Sequence, residues 1–98
     1  MNTYQILKLN DGTEVKLTLT FGLLYKLKVT DEKLYDECNK ILMNGAKDLF
    51  DMVKILYVAY KCGEQNGKLT YDEFIELVPF DLKFIPALYQ RLATSKKK

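Results

Sequence analysis

The chain has 98 residues, enough for one domain and too few for two hydrophobic cores. It carries 15 Lys and Arg against 13 Asp and Glu, but Lys96, Lys97 and Lys98 supply three of the positive charges. The body is left at 12 against 13, which removes most of the electrostatic basis for binding nucleic acid. Histidine is absent, so the commonest general base and metal ligand is missing and no Ser-His or Cys-His dyad can form.

A hydrophobic share of 48% belongs to a globular chain. No run approaches the ~20 apolar residues that cross a bilayer. Met1 to Gln5 has no basic flank or apolar stretch, so no signal peptide is expected. Cys38 and Cys62 form no CxxC and read as reduced, cytosolic thiols filling apolar space.

The first twenty residues read as two strands. Tyr4 to Leu9 and Glu14 to Leu19 alternate around Asn10-Asp11-Gly12-Thr13, a strong hairpin signal because Gly accepts positive φ. Register is open. A two-residue Asp11-Gly12 turn pairs Ile6 with Leu17 and turns Leu7 and Leu9 outward. A three-residue loop with Gly12 left-handed pairs Leu7 with Val15 and exposes Tyr4 and Ile6. Either way the ribbon carries apolar side chains on both faces, and two strands need a covering helix or partner.

From Thr20 the period becomes helical. Thr20 can cap a helix over 21–29 with Phe21, Leu24, Tyr25 and Leu27 inward. Thr30-Asp31-Glu32 starts a second helix with a hydroxyl cap. Leu34, Cys38, Ile41 and Leu42 form its apolar stripe, and Asn44-Gly45 ends it. A third helix, about 46–61, is apolar nearly all round and is expected to be central or to face another protein. Thr70-Tyr71-Asp72-Glu73 fits a capping box opening a short helix through Val78, which Pro79 interrupts. A last helix over about 81–93 places Leu82, Ile85, Leu88, Tyr89 and Leu92 on one face, with Phe84 beside them and Pro86 near its first turn. Residues 94–98 are expected to be a disordered basic tail after a single domain over 1–93.

One local string looks like an EF-hand calcium loop. In Cys62 to Phe74, Glu64 and Asn66 fall at ligand positions, Gly67 at the turn and Glu73 at the final carboxylate. Its first ligand, however, is Cys62, where calcium needs a hard oxygen donor. A Gly turn followed by a capping box yields the same letters and is the preferred reading. No catalytic, cofactor or metal residues are assigned. The acidic pairs Asp31/Glu32 and Asp72/Glu73 complement helix N-termini, there is no Gly-rich phosphate loop, and neither thiol has an activating base. The tyrosines lack the basic groove that base stacking would need. What remains is apolar surface beyond what one small core hides, which points to protein–protein contact.

The order of elements, with the strings Tyr4-x-Ile6, Asn10-Asp11-Gly12, Leu17-Thr18-Leu19-Thr20-Phe21, Gly22 to Leu27 and Leu69 to Glu76, resembles the tail assembly chaperones of long-tailed, siphovirus-type phages and prophages of Gram-positive bacteria. The resemblance covers nearly the whole chain. It implies a protein without enzymatic activity in the host cytoplasm, absent from the mature virion. Such a protein binds the tape-measure protein, the tail-tube protein or both, keeps them soluble and is displaced as the tube polymerises. It also implies a longer frameshifted form, for which an adenine run encoding Lys96-Lys97-Lys98 would serve.

The expected fold is α+β and mostly helical, an N-terminal β-hairpin packed on four to five helices. The expected partner-binding residues are Leu7, Leu9, Phe80, Phe84 and Tyr89, taken as outward apolar positions; a homo-oligomer fits the same surplus. No nucleic acid, membrane or cofactor is expected. The alternatives are a degenerate EF-hand-like helix–loop–helix module and a small phage-encoded regulator of a host protein.

Overall fold

The computed structural model describes residues 4–64 and 67–93. In chain order these form β1 (Gln5–Lys8), β2 (Glu14–Leu17), α1 (Phe21–Thr30), α2 (Glu32–Asn44), α3 (Leu49–Gly63), α4 (Tyr71–Leu77) and α5 (Phe84–Ala93). The mostly helical α+β architecture and its N-terminal hairpin are as expected. The predicted tail over 94–98 and Asn66 of the calcium-loop string lie outside the described residues.

The hairpin takes the longer loop. β1 and β2 pair antiparallel with Leu7 opposite Val15 and Ile6 opposite Lys16. Gly12 sits at φ 91, the left-handed turn that a side chain would strain. Leu9 N–H donates to the Thr13 carbonyl at 2.7 Å and Gly12 N–H to the Leu9 carbonyl at 2.9 Å. The Asp11 carboxylate accepts from Thr13 N–H. This register sends Leu7, Leu9, Val15 and Leu17 into the core and leaves Tyr4 and Ile6 on the outer face.

α3 is the centre of the molecule. It packs on β2, α2, α4, α5 and, more lightly, α1, and its residues from Ile55 to Tyr60 are all buried. A helix apolar round most of its girth can be covered on several sides at once. It starts at Leu49 rather than near Ala46, because the Asp48 carboxylate caps it by accepting from Asp51 N–H at 3.0 Å. The ribbon meets it edge-on: Thr18 N–H donates to the Ala59 carbonyl at 3.2 Å, and Lys16 N–H to Glu64 Oε2 at 2.8 Å. Gly63 lies where a Cβ would be 2.9 Å from the Lys16 carbonyl carbon.

α1 and α2 meet at Asp31, which ends one helix and caps the next by accepting from Leu34 N–H. Thr30, expected as that cap, instead donates its hydroxyl back to the Lys26 carbonyl. α2 buries Leu34, Cys38 and Ile41 as its stripe predicts, and ends at Gly45 with φ 86. α1 is rotated from the predicted orientation. Leu27 is buried and Leu23 and Leu24 pack against the core, whereas Phe21 and Tyr25 face solvent. Apolar residues surround this helix, so periodicity alone leaves its inward face undetermined.

The turn between α3 and α4 is tied down by aromatics. Tyr57 Oη donates to the Leu69 carbonyl, and Leu69 N–H donates to Tyr60 Oη. These two rings pack with Phe74, whose centroid lies 5.4 Å from each. Thr70 and Glu73 close the predicted capping box. α5 begins at Phe84, later than predicted, because Asp81 Oδ1 accepts from both Lys83 and Phe84 N–H and makes a turn first.

Candidate functional site

Where α3 begins, α4 ends and α5 begins, three helix ends leave a gap. Leu49, Phe50 and Val53 of α3 form one wall, and Ile75 and Val78 form the second. The connection from Pro79 to Leu82, with Ile85 behind it, closes the third. The groove encloses about 300 Å³, and Asp81 is the one charged residue among the described residues that line it. The connection stays open here because Pro79 cannot continue α4 and Asp81 is occupied with the backbone of the next turn. Those two N–H donors hold the Asp81 carboxyl below its ordinary pKa, so it is anionic at neutral pH.

The rim is apolar and wet. Phe80 is 87% exposed, Phe50 65% and Leu82 57%. A second exposed apolar surface runs along α1, where Phe21, Tyr25 and Val29 recur every fourth residue on one face.

The structure separates the five residues expected to bind a partner. Leu7 and Leu9 are core residues, 0% and 3% exposed, and are withdrawn as surface contacts; the three-residue loop that sets the register puts them inside. Phe80 stands on the groove rim. Phe84 and Tyr89 are half-buried and pack against the core, so each offers only part of a ring. Sequence reasoning missed Phe50, hidden in a segment that reads as apolar throughout, and placed Leu82 on one helical face with Ile85 and Leu88, whereas it lies before α5 and is exposed. The exposed α1 stripe was missed because Phe21 and Tyr25 also fit an inward spacing.

Chemistry finds little to work with. Among the described residues no charged side chain is buried, and no cluster of three or more His, Cys, Asp or Glu side chains could hold a metal ion. The calcium-loop string is otherwise employed: Cys62 lies buried within α3, Glu64 accepts from Lys16 N–H, and Glu73 accepts from Thr70 N–H. Burial pushes the Cys38 thiol up to about 12 and Cys62 up to about 11, so both are protonated and unreactive at neutral pH. Among the described residues no helix is long and apolar enough to cross a membrane. No protein-family model, curated protein or solved structure was found to match the chain.

Proposed function

We propose that this protein is a non-enzymatic tail assembly chaperone that covers apolar helical segments of a phage tape-measure protein before the tail tube encloses them. One observation carries the reading: a small domain with a filled core still holds an open apolar groove with two phenylalanines and a leucine in water at its rim. The order of hairpin and helices, and the strings that resemble this chaperone family, supply the identity of the client. A tape measure exposes long amphipathic helices until it is enclosed, and a groove between helix ends takes such helices through anchors spaced three and four residues apart. Release as the tube grows requires modest affinity at each contact, with many copies spread along one long client. Phe80, Phe50 and Leu82 are the contacts in this reading, with Phe84 and Tyr89 contributing their exposed edges.

Co-expression with the tape-measure protein encoded by the same phage tests the proposal. The client's soluble yield should rise and the two should co-purify. Phe80→Ser and Phe50→Ser should weaken the complex while leaving the melting temperature within a few degrees, since both rings are mostly exposed. Unchanged client solubility with no co-purification would reject it.

A further inference from the structure

The register of the ribbon closes one of its two long edges and leaves the other open. Lys16 N–H donates to Glu64 and Thr18 N–H to the Ala59 carbonyl, so these groups point away from β1 and the β2 edge is covered by α3. In an antiparallel pair, a residue whose backbone points away from the ladder lies opposite one that does the same. Ile6 lies opposite Lys16, and Lys8 follows two residues on. Both therefore turn their N–H and C=O groups out from the β1 edge. Among the described residues these four groups have no hydrogen-bond partner, and no helix runs along that edge. At the turn end the edge is already in use. Asn10 N–H donates to the Leu77 carbonyl at 2.7 Å, where the main chain leaves α4 and is extended at Val78. The β1 edge thus takes a main-chain partner at one end and offers bare donors and acceptors over the rest.

We propose that the β1 edge binds an extended, acidic segment of another protein as a third strand. Main-chain groups supply the pairing, and the flanking side chains select the partner. Tyr4, Ile6 and Lys8 share the outer face of the ribbon, where Tyr4 is 47% and Ile6 43% exposed. Lys16 joins them from β2, its Nζ 5.2 Å from the centre of the Tyr4 ring. A strand laid beside β1 sets its own alternate residues against these. The residue against Ile6 meets an apolar surface that a β-branched side chain covers well. Those two positions to either side meet the Lys8 ammonium and the Tyr4–Lys16 pair, and carboxylates there are attracted to both cations. The charged residues of the two strands are Lys8 and Lys16 against Glu14, a positive balance. A second copy of the chain is a poor occupant. Tyr4 to Leu9 carries Lys8 and no acid, so β1 beside β1 brings no carboxylate to either cation. Lys8 thereby rejects basic strands as well as favouring acidic ones. A short segment binds weakly, with a Kd on the order of 0.1–1 mM, because the edge offers two donors and two acceptors. The groove is lined by other elements, so the inference does not depend on the tape-measure reading.

Titration of the ¹⁵N-labelled full chain with the capped peptide Ac-TETVTET-NH2, followed by NMR, tests this. Its valine can face Ile6, and its glutamates then reach Lys8 and the Tyr4–Lys16 pair in either strand direction. The Ile6 and Lys8 amides should shift downfield and exchange severalfold more slowly, while the Leu7 amide, which faces β2, should change little. Of the two peptides N-methylated on alternate residues, one has its bonding edge blocked and should not bind. The peptide Ac-TKTVTKT-NH2 should bind about tenfold more weakly or worse, and Lys8→Glu should cut that preference severalfold. Ile6→Pro removes an outward donor without costing a ladder bond, so its circular dichroism should match wild type while peptide binding is lost. Should that spectrum differ, the two N-methylated peptides decide the question on the wild-type chain. Unmoved Ile6 and Lys8 amides at about 5 mM peptide, equal binding of both N-methylated peptides, or equal binding of the lysine peptide would each overturn the inference. So would shifts of the same two amides with protein concentration alone, which would mean that a second copy occupies the edge.

Discussion

Replacing Gly63 by Ala tests how closely the ribbon and the central helix approach. Gly63 is the last residue of α3, and a Cβ there would fall inside contact distance of the Lys16 carbonyl oxygen, 2.9 Å from its carbon and 3.4 Å from Leu17 N. All three are backbone atoms, which cannot swing aside as a side chain would. β2 must therefore move, and it is held by its pairing with β1 and by the bonds Thr18 N–H to Ala59 and Lys16 N–H to Glu64. Overpacking of this kind costs about 1–3 kcal/mol. Weakening the two inter-element bonds adds about 1 kcal/mol each. Against this, Ala is a better helix former than Gly by up to ~1 kcal/mol. The expected result is a loss of about 2–4 kcal/mol, or roughly 8–30 °C in melting temperature. Urea titration followed by circular dichroism measures it, with an unchanged m-value showing that the unfolded state is not involved. Gly22→Ala is the matched control: its Cβ would meet nothing nearer than Thr20 Oγ1 at 4.0 Å, so the same change there should stabilise by a few tenths to ~1 kcal/mol. If Gly63→Ala proved as stable as wild type, helix propensity would outweigh the contact and the close approach of β2 to α3 would be wrong.

Leu7→Ala should cost about 2–5 kcal/mol and Ile6→Ala about 1 kcal/mol or less in urea titrations, because only Leu7 is fully buried; the reverse order would mean the other hairpin register. Cys38 and Cys62 should resist a thiol reagent at pH 7 until the protein is unfolded, and prompt labelling of the native state would contradict their burial. Their folded pKa values stand above the ordinary value of 9.0, so the stability they carry is complete below pH 9 and drains as pH rises toward about 11 and about 12. Alkaline melts of the Cys38→Ala, Cys62→Ala double variant should show a shallower decline over that range, from a lower starting stability. Asp11 and Asp81 are shifted the other way, chiefly by N–H donors from Thr13 and from Phe84. Their contribution is present above pH 3.8 and is lost as pH falls through their lower folded values. Acid melts of Asp11→Asn with Asp81→Asn should therefore be flatter in that range, and an unchanged acid slope would argue against both turns.

Local signals account for most of the architecture. Thr20 accepts from Leu23 N–H, Thr70 and Glu73 close their box, and Gly12 and Gly45 take the positive φ that ends a strand or a helix. Each of these is settled within one turn of chain by a backbone group that needs a partner or an angle that needs a missing side chain. Apolar surface in excess of the core was likewise countable from composition and period. Which residues form that excess was not. Leu7 and Ile6 are both apolar neighbours on one strand, and a single extra loop residue decides which one faces the core. On α1, the leucines and the aromatics make two apolar faces, and the packing of α2 and α3 selects Leu27 over Tyr25. The groove depends on the ends of three helices far apart in sequence, so no periodicity within any one of them describes it. Hydrogen-bond demand acts over a few residues and is written locally, whereas burial is a competition among all faces for one small interior, decided only when every element is in place.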